Sequence, residues 1–209
     1  MSQTSRALGF CLAVVVGLPI VAFATCHAAL LVINLDLATL SFAGTGDPYP
    51  SDWRTADDRY VVDANADLVA AAREAGLLIV YLYGDYDYIP DEQERVFPAE
   101  IAPRPSDLLM ARPGPYQNVF RDTGLHEILK ARGVGRLVIS GLNTAYCVKV
   151  SAWHGNALGY EVIVAADAHS GGDPTLAEQY NTRFWPYYNT TVIPTAEIDF
   201  AALCAECEE

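Results

Sequence analysis

Residues 135–168 read GRLVISGLNTAYCVKVSAWHGNALGYEVIVAADA. Arg136-Leu-Val-Ile-Ser140 is a short run of mainly branched apolar residues, the signature of a strand buried on both faces. Gly141-Leu-Asn-Thr144 is a turn. Ala145 to Leu158 predicts a helix that Gly159 ends. Tyr160-Glu-Val-Ile-Val-Ala165 predicts the next strand.

The same alternation continues outward. Ala29-Leu-Leu-Val-Ile-Asn-Leu35 and Gly76-Leu-Leu-Ile-Val-Tyr-Leu82 are two more buried strands. Between them Val61, Ala64, Leu68, Ala71 and Ala75 fall at helical steps of three and four. Thr123 to Arg132 predicts a helix with Leu125, Ile128 and Leu129 inward, stopped by Gly133 and Gly135. Residues 174–184 predict a further helix, and Thr191-Val-Ile193 a late short strand. Residues 37–58 and the stretch from Gly84 to Pro115, with its six prolines, read as long loops. Such alternation predicts an α/β fold: three layers, doubly wound, with a mainly parallel sheet and helices on both faces.

Composition agrees with one folded domain. The chain has 209 residues, 52% hydrophobic and 19% charged, which excludes a disordered chain. Its 13 basic and 26 acidic residues give a net charge of −13, so nucleic-acid binding is not expected.

Residues 7–25, ALGFCLAVVVGLPIVAFAT, carry no charge and follow Arg6. They predict an export signal with a small-x-small cleavage site at Ala22-Phe23-Ala24, or a membrane anchor. The competing reading is a mis-called start codon and a cytoplasmic protein, because the next apolar run begins at Ala28 with no linker. The expected organisation is a leader over 1–26, a domain over 27–200 and a frayed tail over 201–209. The protein would then be secreted, periplasmic or membrane-anchored, with membrane contact through residues 7–25.

Five cysteines are present: Cys11, Cys26, Cys147, Cys204 and Cys207. They are too few for a disulfide scaffold. Cys204-Ala-Glu-Cys207 is one CxxC with no second pair to complete a zinc site, so a tail disulfide or two idle thiols are expected. Cys147 falls in the first turn of the helix after the central turn. A helix N-terminus carries unpaired N–H groups and partial positive charge, which stabilise a thiolate. In open α/β sheets ligands bind at the carboxyl ends of the strands, where this turn lies. The position equally suits a small buried hydrophobe packing helix against sheet.

Gly141-x-x-Thr144-x-x-Cys147-Val148, Ser151-Ala152 and Gly159-Tyr160-x-Val162-x-Val164-x-x-Asp167-Ala168 together resemble the isochorismatase-like cysteine hydrolase superfamily, which includes nicotinamidases and related amidases. Ala29-Leu-Leu-Val-Ile and Phe120-x-x-Thr123-x-Leu125-x-x-x-Leu129 extend the likeness over most of residues 28–168. The resemblance implies a catalytic aspartate, lysine and cysteine. The aspartate is base to the thiol, and the thiolate forms an acyl-enzyme that water releases. Backbone N–H groups hold the oxyanion. Mapped onto this chain, the donors are Asn143 and Cys147, across an expected Leu142–Asn143 cis peptide, with Tyr146 a substrate-binding candidate.

Two positions depart from that pattern. The aspartate position holds Asn34, which cannot act as a base. The lysine position falls on Arg112, which can offer charge but does not shuttle protons. Asp36 lies two residues beyond Asn34, on the same side of an extended strand, and either replaces the base or caps the following segment. His154, where the pattern has an acid, is ~10 Å along the helix from Cys147, too far for a direct base. His169, past a strand end, either reaches the site or is a solvated loop side chain.

Nicotinamidases of the superfamily carry an Asp-and-two-His metal site after the second strand. Here that region is Tyr83-Gly-Asp-Tyr-Asp-Tyr88, and no histidine occurs between His27 and His126. No metal and no cofactor are therefore expected, and Asp85 and Asp87 read as solvated loop acids. Tyr81, Tyr83, Tyr86, Tyr88, Tyr187 and Tyr188 either line an aromatic pocket or cover the core.

The leading expectation is a cysteine hydrolase acting on an amide or related C–N bond of a small molecule through Cys147, with Arg112 and Asn34 beside it. The alternative is a catalytically degenerate relative that binds a small ligand or serves as an oligomeric, non-enzymatic subunit. A third reading is a redox thiol at Cys147 resolved by Cys204 or Cys207. The resemblance also implies a homo-oligomer.

Overall fold

A computed structural model describes residues 28–42, 56–85, 96–113, 117–171 and 174–205. Six strands form one parallel sheet in the order β3-β2-β1-β4-β5-β6. They are β1 (Ala28–Ile33), β2 (Leu78–Asp85), β3 (Leu108–Pro113), β4 (Arg136–Leu142), β5 (Glu161–Ser170) and β6 (Thr191–Ile193). The helices are α1 (Leu37–Phe42), α2 (Ala56–Glu74), α3 (Leu125–Ala131), α4 (Lys149–Ala157), α5 (Pro174–Gln179), α6 (Trp185–Tyr187) and α7 (Phe200–Ala205). The doubly wound α/β expectation holds.

β1 shows why the sheet is covered on both sides. Ala28, Leu30 and Val32 join one apolar cluster with Val61, Leu68, Val69 and Ala72 of α2. Ala29, Leu31 and Ile33 join a second cluster with Leu125 and Leu129 of α3 and Ala152 of α4. All six β1 residues are buried, so a strand of period two needs apolar residues at every position. Burial of each large side chain contributes about 1.5–3 kcal/mol, which explains the unbroken run.

Several boundaries differ from the sequence-based expectations. β3 lies inside the stretch read as loop. As an edge strand its burial is mixed, so it lacks a full apolar run. α1 occupies part of the other presumed loop, and α2 starts at Ala56 rather than Val61. α7 takes in residues 201–205, which were expected to fray; Arg136 donates to the Leu203 carbonyl at 3.3 Å. Cys204 lies in α7 and is disulfide-bonded.

β5 is the strand that departs most from its expected form. It runs on through Ser170 instead of stopping near Ala165. Ile139 pairs with Val164 and Gly141 with His169, so Ser140 alone on β4 faces residues 165–168 on β5. Beyond this irregularity His169 pairs with Gly141 within the sheet.

The presumed leader and Cys207, Asp87, Tyr86 and Tyr88 lie outside the described residues. Among the described residues no helix is long and apolar enough to cross a membrane.

Candidate active site

The site forms where β1, β4 and β3 end. β4 runs to Leu142, and the Leu142–Asn143 peptide is cis, as the resemblance implied. Asn143 then caps the next element: its side-chain oxygen accepts from the Ala145 amide at 2.9 Å. Its carbonyl accepts from the amides of both Tyr146 and Val148. The first turn after it, Thr144–Val148, is a π turn that leads into α4, where a plain α-helix was expected. π turns of this kind recur at functional sites. Cys147 sits in this turn as a buried free thiol, 6% exposed.

Asn34 reaches the same sulfur from β1. Its φ is 55°, so the chain leaves the extended conformation immediately after Ile33. The left-handed residue breaks the strand's alternation, and Asn tolerates that conformation better than most residues. The Asn34 Nδ2 donates to Cys147 Sγ at 3.2 Å. The Arg112 Nη2 donates to Asn34 Oδ1, also at 3.2 Å. Arg112 comes from β3 and is fully buried at 0% exposure. The three residues singled out as Cys147, Arg112 and Asn34 are therefore in one connected chain.

That chain has a direction. A guanidinium has donors only, so the atom of Asn34 facing Arg112 must be the oxygen. The amide NH2 is thereby turned toward the sulfur. Asn34 donates to Cys147 and cannot take its proton. The sulfur is thus met by a donor whose direction is fixed two residues back, at Arg112.

Each of the other candidates has its own place. Asp36 begins α1: its carboxylate accepts from the Thr39 amide and from the Thr39 hydroxyl, each at 2.7 Å. It acts as an N-cap, and the left-handed turn at Asn34 removes the extended geometry that would have aimed it at the thiol. His154 stacks on Phe120 with ring centroids 5.8 Å apart. Tyr146 lies next to Cys147 and is 54% exposed. Tyr81 is buried and packs edge-on against Phe97.

His169 is not a solvated loop residue. It is fully buried, with Nδ1 2.8 Å from the Thr144 hydroxyl and Nε2 2.9 Å from Asn181 Oδ1. Burial lowers its pKa from 6.5, against the smaller opposing effects of Asn181 and Asp167. The sequence shows little of this network: its expected strand stops at Ala165, and only the spacing of Asp167, Ala168 and His169 hints that β5 continues. Among the described residues no three His, Cys, Asp or Glu side chains gather as a metal site.

An isochorismatase domain profile matches residues 28–197, and the chain belongs to the isochorismatase family of hydrolases. It is similar to the ureidoacrylate amidohydrolase RutB of Klebsiella pneumoniae, with 28% identity over 75% of this chain and 79% of that one. It also resembles the streptothricin hydrolase of Streptomyces noursei, with 32% identity over 69% of this chain and 50% of that one. Among solved structures, an isochorismatase family protein from Desulfovibrio vulgaris superposes with a TM-score of 0.69. The identity is 21%, over 81% of this chain and 95% of that one. N-carbamoylsarcosine amidase from Thermoplasma acidophilum gives a TM-score of 0.64 at 22% identity, covering 82% and 98%.

Proposed function

We propose that the protein hydrolyses an amide or related C–N bond of a small molecule, with the Cys147 thiolate as nucleophile. The observation carrying this reading is the one-way chain Arg112 to Asn34 to Cys147 Sγ. A fully buried guanidinium fixes the Asn34 amide, and that amide in turn holds the nucleophile's sulfur in place. The names of the relatives, amidohydrolase and amidase among them, support a C–N substrate.

In this mechanism Cys147 Sγ adds to the carbonyl carbon, and the carbonyl oxygen becomes an oxyanion. The main-chain N–H groups of Asn143 and Cys147 hold that charge at the head of the turn. Collapse breaks the C–N bond, and the nitrogen leaves with a proton from water. The hydroxide left from that water then attacks the thioester carbon, the C–S bond breaks, and the acid leaves as the thiolate returns. Tyr146, exposed beside the nucleophile, contacts substrate. The scheme uses no metal or cofactor.

The substitution at Asn34 supports the second reading, a degenerate relative that binds a ligand. Hydrolysis of a panel of ureido and amide compounds by the wild type, Cys147→Ala and Asn34→Asp separates the two. Turnover by the wild type and none by Cys147→Ala supports the hydrolase. Turnover that appears only in Asn34→Asp establishes the degenerate relative. Export through residues 7–25 and homo-oligomer assembly belong to the same proposal; cell fractionation and sedimentation of the purified chain test them.

A further inference from the structure

Thr144 opens the π turn that carries Cys147, and its buried hydroxyl meets a buried ring. The direction of that contact follows from its neighbours. Asn181 Nδ2 donates to the Ala166 carbonyl at 2.8 Å, so Asn181 Oδ1 faces His169 Nε2. An oxygen of an amide only accepts, so Nε2 carries the hydrogen. Burial disfavours the doubly protonated ring. The lone pair is then on Nδ1, and the Thr144 hydroxyl donates to it.

The ring is itself anchored. The Tyr60 hydroxyl donates to the His169 carbonyl at 3.4 Å, and Asn65 Nδ2 to the Ala168 carbonyl at 2.9 Å. Trp185 meets the ring edge-on, with centroids 6.2 Å apart. The bulged end of β5 is thus clamped by α2 on one side and by Asn181 and Trp185 on the other.

We propose that His169, oriented by Asn181, is a positioning residue that fixes Thr144 and, through the π turn, sets the Cys147 sulfur against Asn34. The proposal rests on the hydrolase reading for its effect on turnover, but not for its effect on the thiol. Cys147 is then held from two sides, by Asn34 from β1 and by the Thr144–His169 pair from β5.

The test is the rate of Cys147 alkylation by iodoacetamide in the full chain, followed on the Cys147 peptide by mass spectrometry. Thr144→Val and His169→Leu remove the hydrogen bond. Thr144→Ser keeps the hydroxyl, and His169→Asn places an amide acceptor where Nδ1 stood. The first pair is expected to alkylate about tenfold more slowly than the wild type, the order of loss that follows from a misplaced reacting group. The second pair should stay within about threefold, and kcat should follow the same order with KM little changed. Should His169→Leu not fold, Thr144→Val, nearly isosteric with threonine, decides alone. Folded Thr144→Val alkylating at the wild-type rate overturns the proposal, whatever its melting temperature. Wild-type protein that turns over no amide, with the alkylation order intact, overturns the hydrolase reading and leaves the positioning role standing.

Discussion

The amide of Asn34 donates to the sulfur of Cys147 across 3.2 Å, joining residues 113 positions apart in the chain. Each residue sits where its strand leaves regular geometry: Asn34 is left-handed at the end of β1, and Cys147 is in a π turn after β4. The hydrogen bond exists because both departures point into the same space.

Arg112 sets which way that amide points. Arg112→Met removes the donor to Asn34 Oδ1 and the buried charge together. A hydrogen bond to a charged group contributes about 1.5–3 kcal/mol, so the orientation of Asn34 is lost and Cys147 alkylation at neutral pH should slow by about tenfold or more. Stopped alkylation assays on the purified variant read this directly. An unchanged rate would show that Asn34 is held by other contacts.

At Gly141 the backbone of β4 leaves no room for a side chain against β1. It has φ 108°, and a Cβ there would lie 2.0 Å from the Ile33 carbonyl oxygen. Backbone cannot yield as a side chain can, and the positive φ adds strain of about 1–3 kcal/mol. Gly141→Ala should therefore lose soluble yield, or melt well below the wild type in a thermal scan.

Asn65 is fully buried on α2 and donates to the Val61 and Ala168 carbonyls at 2.7 and 2.9 Å. Asn65→Ala leaves the Ala168 carbonyl without this donor in the bulged part of β5. Leaving a buried acceptor unsatisfied costs about 1–3 kcal/mol. Urea denaturation should show that loss, and hydrogen exchange should rise over residues 166–170 before the rest of the sheet.

The folded protein should become less stable on mild acidification, and His169 should account for part of the slope. Its pKa is lowered below the unfolded value of 6.5 by burial. Below that pH the unfolded chain takes up a proton that the folded chain refuses. The stability is thus present above 6.5 and falls as pH drops through 6.5 toward the folded value, by at most about 1.4 kcal/mol per pH unit. Unfolding of His169→Asn between pH 7 and 5 should lack that component.

The strands and their burial were legible because burying a parallel sheet on both faces demands unbroken apolar runs. Ala29 to Ile33 and Leu137 to Ile139 could hardly be anything else. The helix after Gly141-x-x-Thr144-x-x-Cys147 and the family likeness were legible for the same reason: they are local patterns. β3 was hidden because an edge strand half in solvent needs no such pattern, and with it the place of Arg112 in the fold.

The layers, the turn that bears Cys147 and the lack of a carboxylate at position 34 all follow from local patterns in the chain. That Arg112 orients Asn34, that Asp36 caps α1 and that His169 is buried against Thr144 emerge only once the chain is folded. Those relations depend on a left-handed residue and a bulge. Each redirects side chains by breaking the periodicity from which a sequence is read.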